Sequence, residues 1–425
     1  MTHFKTFDFR LSTFDLRPLT FNPNGENPMS NFLKQAQDLF PYTQAMRRDF
    51  HMHPELGFNE IRTGGIVAKE LESLGLEVTK GIGKTGVVGF LEGAKPGPTI
   101  LLRFDMDALP ITEDTGAEYS STNNGVMHAC GHDGHTAIGL TVAKILNEYK
   151  DNLAGNIKFC FQPSEEGTNG EEVGGALMMI RDGVMESPKV EKTLSLHLWN
   201  DKPLGWIHVA EGPVFAGAEL FIVKLTGKGG HGAAPETTID PVVCAAHIVT
   251  ALQTIVSRNV PALKPAVISV TSIHSGTAFN VIPQTAELNG TIRTFDPEIR
   301  TLVLQRFDEV VRSIAQAMNC EVEIIIKQVT APVINEGNVS ASVLETAQGI
   351  FPKDSIESNQ YLTMGAEDMG YMQEKADGCY FMIGSANAEK NLNYNHHHPK
   401  FDFDESALVN GVALMASAAA DLLKK

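Results

Sequence analysis

Eight consecutive residues, His128-Ala129-Cys130-Gly131-His132-Asp133-Gly134-His135, hold three histidines and a cysteine. Imidazole and thiolate are good ligands for zinc and neighbouring divalent metals, and the glycines let the backbone fold so that several side chains converge. Taken alone, the run is also compatible with a polar turn carrying partly buried histidines. Its company favours a metal. Adjacent Glu165 and Glu166 follow an apolar run at 157–161, and His197 closes another at 193–198. An isolated glutamate pair is usually a solvated turn. At the end of a strand, beside a metal cluster, it can divide its labour: one carboxylate ligates while its neighbour accepts a proton from water acidified by the metal. Asp105 and Asp107 follow the apolar run 99–104, where one of them can orient a ligand histidine from behind. The last candidates lie in His396-His397-His398-Pro399.

A scaffold must gather these groups. The apolar runs 99–104, 157–161, 193–198 and 379–383 alternate with helical patterns at 136–149, after Glu171 and at 404–423. This predicts the α/β class: a large mixed sheet with helices on both faces, with ligands collected beyond the carboxyl ends of its strands. Between 214 and 328 the order becomes strand 220–225, helix 241–256, strands 266–273 and 286–292, helix 297–318 and strand 320–326. That is β-α-β-β-α-β, a ferredoxin-like unit. Val242, Ala245, Ala246, Val249, Leu252 and Val256 are expected to form the inner face of its first helix, and Val303, Phe307, Val310 and Ile314 that of its second. In the third strand Ala286, Leu288, Gly290 and Ile292 alternate with Glu287, Asn289, Thr291 and Arg293, so one sheet face is polar. The expected organisation is an extension outside the fold at 1–28, a catalytic metal-binding domain at 29–213 and 329–425, and an inserted lid and dimerisation domain at 214–328. Gly384 and Ser385, following 379–383, are expected on the substrate-lining rim.

A chain of 425 residues is long enough for about two cored domains. With 43% hydrophobic and 20% charged residues it reads as globular. A formal charge of −17 excludes a protein whose main work is neutralising phosphates, so small molecules rather than nucleic acid are the expected partners. The five cysteines are odd in number and scattered, which argues against a disulfide framework. No stretch approaches the roughly 20 apolar residues of a membrane span, and the first residues lack an apolar core before a small-residue cleavage site. A cytoplasmic protein without a membrane partner is expected.

Taken together, the motifs resemble the M20 metallopeptidase family, in particular its amidohydrolase branch of hippurate, N-acyl-amino-acid and auxin-conjugate hydrolases. The resemblance spans about Met29 to the C-terminus. It rests on 47–56 (Arg-Arg-Asp-Phe-His-Met-His-Pro-Glu-Leu), on 103–110, on the His128 to His135 run and on Gln162-Pro163-Ser164-Glu165-Glu166-Gly167. His231-Gly232-Ala233-Ala234-Pro235, Asn280-Val281-Ile282-Pro283 and His397-His398-Pro399 complete it.

The resemblance implies two divalent ions (zinc, manganese or cobalt) held by Cys130, His132, Glu166, His197 and His397, with Glu165 as general base. Cys130 would stand between the ions, where other branches of the family place an aspartate. Asp107 would be the carboxylate behind a ligand; Asp105 stands where those branches carry a ligand histidine and is left out. His397 is preferred because it stands two before Pro399, with His396 the fallback. The same resemblance places His231, in the turn Gly229-Gly230-His231-Gly232, in a partner subunit's active site, where it would stabilise an oxyanion, and so implies a homodimer. Asn280 and Arg293 resemble the family's substrate contacts; Arg293 can grip a carboxylate with two prongs, although a turn cap and a surface ion pair are their ordinary uses.

The implied reaction is metal-dependent hydrolysis of the amide of a small N-acylated amino acid, with a dipeptidase or carboxypeptidase of the same family as the alternative. A non-catalytic binding protein would leave Glu165 unused. A thiol enzyme built on Cys130 would leave Glu165, Glu166, His197 and His397 unexplained. Chelation decides that last case: activity should vanish with chelator and return with zinc, manganese or cobalt, whereas a cysteine nucleophile would survive metal removal.

Overall fold

The structure is a computed structural model that describes residues 28–167 and 170–424. Of the extension expected at 1–28, only Pro28 lies within the described residues, as the first residue of the helix Pro28–Asp38. The apolar runs become the centre of an eight-stranded sheet in the order Glu77–Ile82, Gly86–Glu92, Ala154–Gln162, Lys95–Asp105, Val190–Pro203, Asp377–Ala386, Ile207–His208, Ile356–Glu357. The four long central strands run parallel, and the hairpin Glu77–Ile82/Gly86–Glu92 pairs antiparallel, so the sheet is mixed. Strands covered on both faces read as continuous apolar runs. Accordingly Ile100, Leu102 and Phe104 enter one core with the helices, while Leu101 enters a second on the opposite face.

The elements differ from expectation mainly at their ends. The strand expected at 193–198 runs Val190–Pro203, and that at 379–383 runs Asp377–Ala386, which takes in Gly384 and Ser385. The helix expected at 136–149 is His132–Glu148, begun four residues earlier because Gly131, at φ 93°, turns the chain in a left-handed conformation. His132 and His135 therefore stand in the first turn of a buried helix rather than in a loop.

The second sheet has the order Ala266–Ser275, Thr285–Thr294, Gly217–Thr226, Glu321–Thr330, entirely antiparallel. The helices Pro241–Arg258 and Pro297–Ala317 cover one face of this ferredoxin-like unit and share its separate core. Thr285–Thr294 alternates as expected, with Ala286, Leu288, Gly290 and Ile292 buried. The face of the first helix does not follow expectation: Cys244, Ala245, Ile248, Leu252 and Ile255 are buried, whereas Val242 and Ala246 are exposed. That helix is apolar almost all round, so its sequence leaves the rotation open and packing chooses it. By length and composition alone it could cross a membrane; here it covers the sheet. In the second helix Val303 and Phe307 are buried, but Val311 and Ala315 take the innermost places beyond them, with Val310 and Ile314 half-buried.

A fully buried arginine anchors the helix that carries His132. Arg47, from the helix Phe40–Met52, reaches Asp133 (2.8 Å), Asp402 (2.6 Å) and Glu405 (3.3 Å). Asp133 also meets His51 Nδ1 at 2.7 Å, and His51 Nε2 meets Glu113 at 3.3 Å. Burial pushes the Glu113 carboxyl up, but the hydrogen bonds from His51, Thr115 and Ser121 bring it down to about 2. A carboxyl depressed in the folded state contributes stability that is complete above its ordinary value near 4.5 and is lost as pH falls toward 2. Acid titration of folding should therefore show a loss in that window, with a shallower slope in Glu113→Gln. Arg47→Met leaves Asp133 buried without its cation and should cost about 3–5 kcal/mol in denaturant melts.

Candidate metal centre

Parallel pairing brings the acids to one edge. Asp105 lies opposite Gln162 at the ends of adjacent strands, so Asp107 and the Glu165-Glu166 doublet emerge together. His197 projects from Val190–Pro203 just beyond Ser195, the last residue paired with Lys95–Asp105. Gly131 starts the helix that delivers His132, and His397 sits at φ 64°, an unusual left-handed conformation for a residue with a Cβ. The N–H of His397 donates to Ala129 O at 2.8 Å, which ties the C-terminal loop to the cysteine-bearing turn.

Two triads of ligand atoms form around one thiol. Cys130, His132 and His197 make one and Cys130, Glu166 and His397 the other, each with its donor atoms within 4.8 Å of one another. Cys130 Sγ is 3.5 Å from His197 Nε2, and Glu166 Oε1 is 3.3 Å from His397 Nε2. Glu165 and Glu166 each stand 3.9 Å from His132 Nε2. The far ring nitrogens are fixed from behind: His132 Nδ1 donates to Asp107 O at 2.9 Å, and His197 Nδ1 to Leu198 O at 2.8 Å. That leaves both Nε2 atoms facing the thiol, the usual arrangement behind a metal ligand.

The neighbouring histidines are otherwise engaged. His135 Nδ1 donates to Asp105 at 2.6 Å while its Nε2 accepts the Leu198 N–H at 2.9 Å. Asp105 also receives Arg103 at 2.6 Å. His396 gives its Nε2 hydrogen to Leu198 O at 3.0 Å and packs on Trp199, so His397, and not His396, faces Glu166.

The donor set fits a divalent metal. His132 Nε2 is buried without a hydrogen-bond partner among the described residues, a costly state that a cation would relieve. The charge balance points the same way. Burial, then the carboxylates of Glu166, Glu165 and Asp105, push the Cys130 thiol far above its ordinary value. Burial, then the charges of Glu367, Glu166 and Asp368, raise Glu165 well above the usual carboxylate range. Glu166 lies below that range despite burial, because His397 and His132 favour its ionised form. His132 rises to about 10, against the effect of burial, through Asp105 and Asp107. The cluster thus carries an excess of acidic donors over cations.

The sequence profile of peptidase family M20/M25/M40 matches residues 101–421. The chain belongs to this family. It is similar to the N-acyl-L-amino acid amidohydrolase of Geobacillus stearothermophilus, with 44% identity over 68% of this chain and 77% of that protein. Thermostable carboxypeptidase 1 of Saccharolobus solfataricus is 39% identical over 93% of this chain and 98% of its own length. The crystal structure of YXEP from Bacillus subtilis, described as a dinuclear metal binding peptidase from the M20 family, superposes with a TM-score of 0.79 at 33% identity, covering 91% of this chain and 99% of that one. The protein is thus an enzyme of the metal-dependent amidohydrolase and peptidase type.

In this M20 hydrolase the donors open onto a cleft of about 340 Å³. Trp199 and Phe215, edge to face at 5.8 Å, supply its apolar wall. Glu367 and Asp201 also line it, and among the described residues no lysine or arginine does. Sequence reasoning missed Glu367 and Asp368, whose ligand atoms stand within 4.8 Å of Glu165. They carry no spacing signal, lying about 200 residues away in a loop. A signal did exist in Arg103, a lone charge inside the apolar run 99–104, which pairs with Glu367 (2.9 Å) and Asp368 (3.0 Å).

The residues expected to touch substrate stand apart from this cleft. His231 is exposed on the short strand Gly230–His231, paired with Val281, and Asn280 accepts the Gly232 N–H at 2.8 Å, so these two are neighbours on the inserted unit. Arg293 is half-buried on Thr285–Thr294, with Nη1 lacking a hydrogen bond among the described residues. None of the three lines the cleft of its own chain. Gly384 is a correction. It is buried inside Asp377–Ala386, off the cleft, and a Cβ there would meet Pro203 O at 2.1 Å, so close packing of the Pro203 to Trp206 turn explains the glycine. Ser385 is buried too, its hydroxyl donating to Asn200. Gly384→Ala should cost about 1–3 kcal/mol in thermal melts, as overpacking does, with metal content unchanged; an undiminished melting temperature would contradict the packing account.

Proposed function

We propose that the protein hydrolyses the amide bond of small N-acylated amino acids, using two divalent ions per subunit held by Cys130, His132, Glu166, His197 and His397. Zinc, manganese and cobalt all suit this mixture of thiolate, imidazole and carboxylate. The observation that carries the reading is the pair of triads sharing Cys130, with Glu165 beside them and left over from both. Bound there, such ions acidify water to a pKa of about 7 and polarise a carbonyl.

Glu165 then acts as the proton carrier: its carboxylate takes the water proton and returns it to the departing amine nitrogen. Asp107 holds His132 in the tautomer that presents Nε2. Trp199 and Phe215 offer an apolar surface for the acyl group. Among the described residues no lysine or arginine lines the cleft, so the substrate carboxylate needs a partner from elsewhere, and a further hydrogen-bond donor would add to the polarisation of the carbonyl. His231, Asn280 and Arg293 are of the right chemistry, and they stand away from the cleft of their own chain, which supports a homodimer whose inserted domains complete each other's sites. His231 Nδ1 accepts the Ala233 N–H at 3.0 Å, leaving Nε2 directed outward as a donor.

The similarity to a carboxypeptidase supports the alternative of a peptidase acting on unblocked peptides, since the scissile bond is the same and only the pocket differs. A panel of benzoyl, acetyl and longer acyl amino acids against free dipeptides separates the two. Glu165→Gln should retain its metals and lose on the order of 10²–10⁴-fold in kcat; near-normal turnover would remove Glu165 from the base role. His231→Ala should lose activity at unchanged metal content, and mixing it with Glu165→Gln should restore part of the activity. Absence of restoration would mean that each site is complete within one chain.

A further inference from the structure

The two backbone N–H groups that flank Glu165 both end on buried carboxylates. The N–H of Glu166 donates to Asp107 Oδ2 at 3.0 Å, and that of Ser164 donates to Glu60 Oε1 at 2.9 Å. Glu60 comes from a distant part of the chain, immediately before the helix Ile61–Ser73, and is 0% exposed. Its second oxygen accepts the Thr85 hydroxyl at 2.5 Å. It neither lines the cleft nor belongs to a ligand triad. A carboxyl group is rarely buried so completely unless its oxygens are hydrogen-bonded, and both oxygens of Glu60 are.

What it holds is an unusual piece of backbone. Ser164 has φ 50°, in the left-handed region that side chains with a Cβ avoid. The turn is closed on its other sides by the Ser164 hydroxyl donating to Gly167 O at 2.5 Å and by the Gly175 N–H donating to Ser164 O at 3.0 Å. Gly175 packs so tightly on this turn that a Cβ would stand 1.6 Å from Pro163 O. The direction in which Glu165 leaves the backbone is set by the dihedral angles of this segment. Sparsely populated conformations persist only where the surroundings over-determine them, and they cluster at active sites.

We propose that Glu60 is a positioning residue for hydrolysis: it clamps Ser164 in its left-handed conformation, as Asp107 clamps Glu166, and so aims the carboxylate of Glu165 into the cleft. The inference rests on the reading of Glu165 as the base. Its mechanical content is that a displacement of about 1 Å at a catalytic group costs up to about a hundredfold in rate, even when the change lies outside the reacting atoms.

The test is a Glu60 series assayed on whichever amide the wild type cleaves fastest, with metal content measured and rates expressed per folded, metal-loaded site. Glu60→Ala should lower kcat by about tenfold or more with KM within about threefold and metal content unchanged. Glu60→Gln, which keeps an oxygen for the Ser164 N–H, should recover kcat to within about threefold of wild type. Glu60→Asp keeps the charge but withdraws the acceptor by one methylene, and should resemble alanine; the order glutamine above aspartate is readable even if the alanine variant fails to fold. Wild-type kcat in the aspartate or alanine variant overturns the proposal, and so does a glutamine variant as impaired as alanine. A protein that cleaves only unblocked dipeptides would defeat the substrate assignment while leaving the Glu60 series readable, and an active Glu165→Gln would defeat the base assignment independently.

Discussion

Beneath the carboxyl edge of the large sheet lies one guanidinium with no access to water, and the site's geometry follows from what it holds. Arg103 contacts Asp105 in its own strand, Gln162 in the next, and Glu367 and Asp368 from a loop far away in sequence. Burial alone would drive its proton off, but the surrounding carboxylates keep it firmly charged. Removing such a cation would strand several acids together in a dry environment. The consequences spread along hydrogen bonds: Arg103 fixes Asp105, Asp105 fixes His135, and His135 accepts the N–H of Leu198, the residue after His197. On its other side Arg103 holds Glu367 near Glu165.

Arg47 repeats the device at the start of the His132 helix, joining Asp133, Asp402 and Glu405. Ion pairs this deeply buried contribute little net stability, because desolvation consumes most of the attraction. Their value here is positional. Donors drawn from four stretches of chain must meet within a few ångströms, and a planar guanidinium with directed N–H groups defines angles that apolar packing leaves loose.

The inserted unit works differently. Its core of Phe221, Ile248, Leu288 and Phe307 is apolar and independent of the large sheet's cores. Its outer sheet face is mixed, with Leu220, Ile222 and Ile325 beside Asn289, Thr291 and Lys327, and His231 and Asn280 lie exposed at the surface. His231 is exposed on a short strand, its Nδ1 accepting the Ala233 N–H, beside exposed Asn280, whose side chain makes no hydrogen bond among the described residues. That arrangement is what supports the proposal that both residues work on another molecule.

How much of this was legible beforehand depends on range. The Cys130 cluster, the Glu165-Glu166 doublet and the apolar runs are local patterns, and local patterns follow from period and ligand chemistry, so the α/β class, the ferredoxin-like insertion and the donor types could be read directly. Element ends were less legible. The start of the His132 helix was missed because a glycine-rich run of ligands reads as a turn until packing extends the helix through it, and Gly384 read as a rim residue until the strand proved longer. Residues whose importance lies in distant contacts were the least legible: the lone charge of Arg103 signals that some acid must meet it, but nothing near Glu60 or Glu367 in sequence indicates that one meets Ser164 and the other Arg103. Amino-acid order determined which chemistry was present. Only the tertiary structure decided which histidine nitrogen faces the thiol, which of His396 and His397 meets Glu166, and which helix face is buried, because each is settled by hydrogen bonds and packing between segments far apart in the chain.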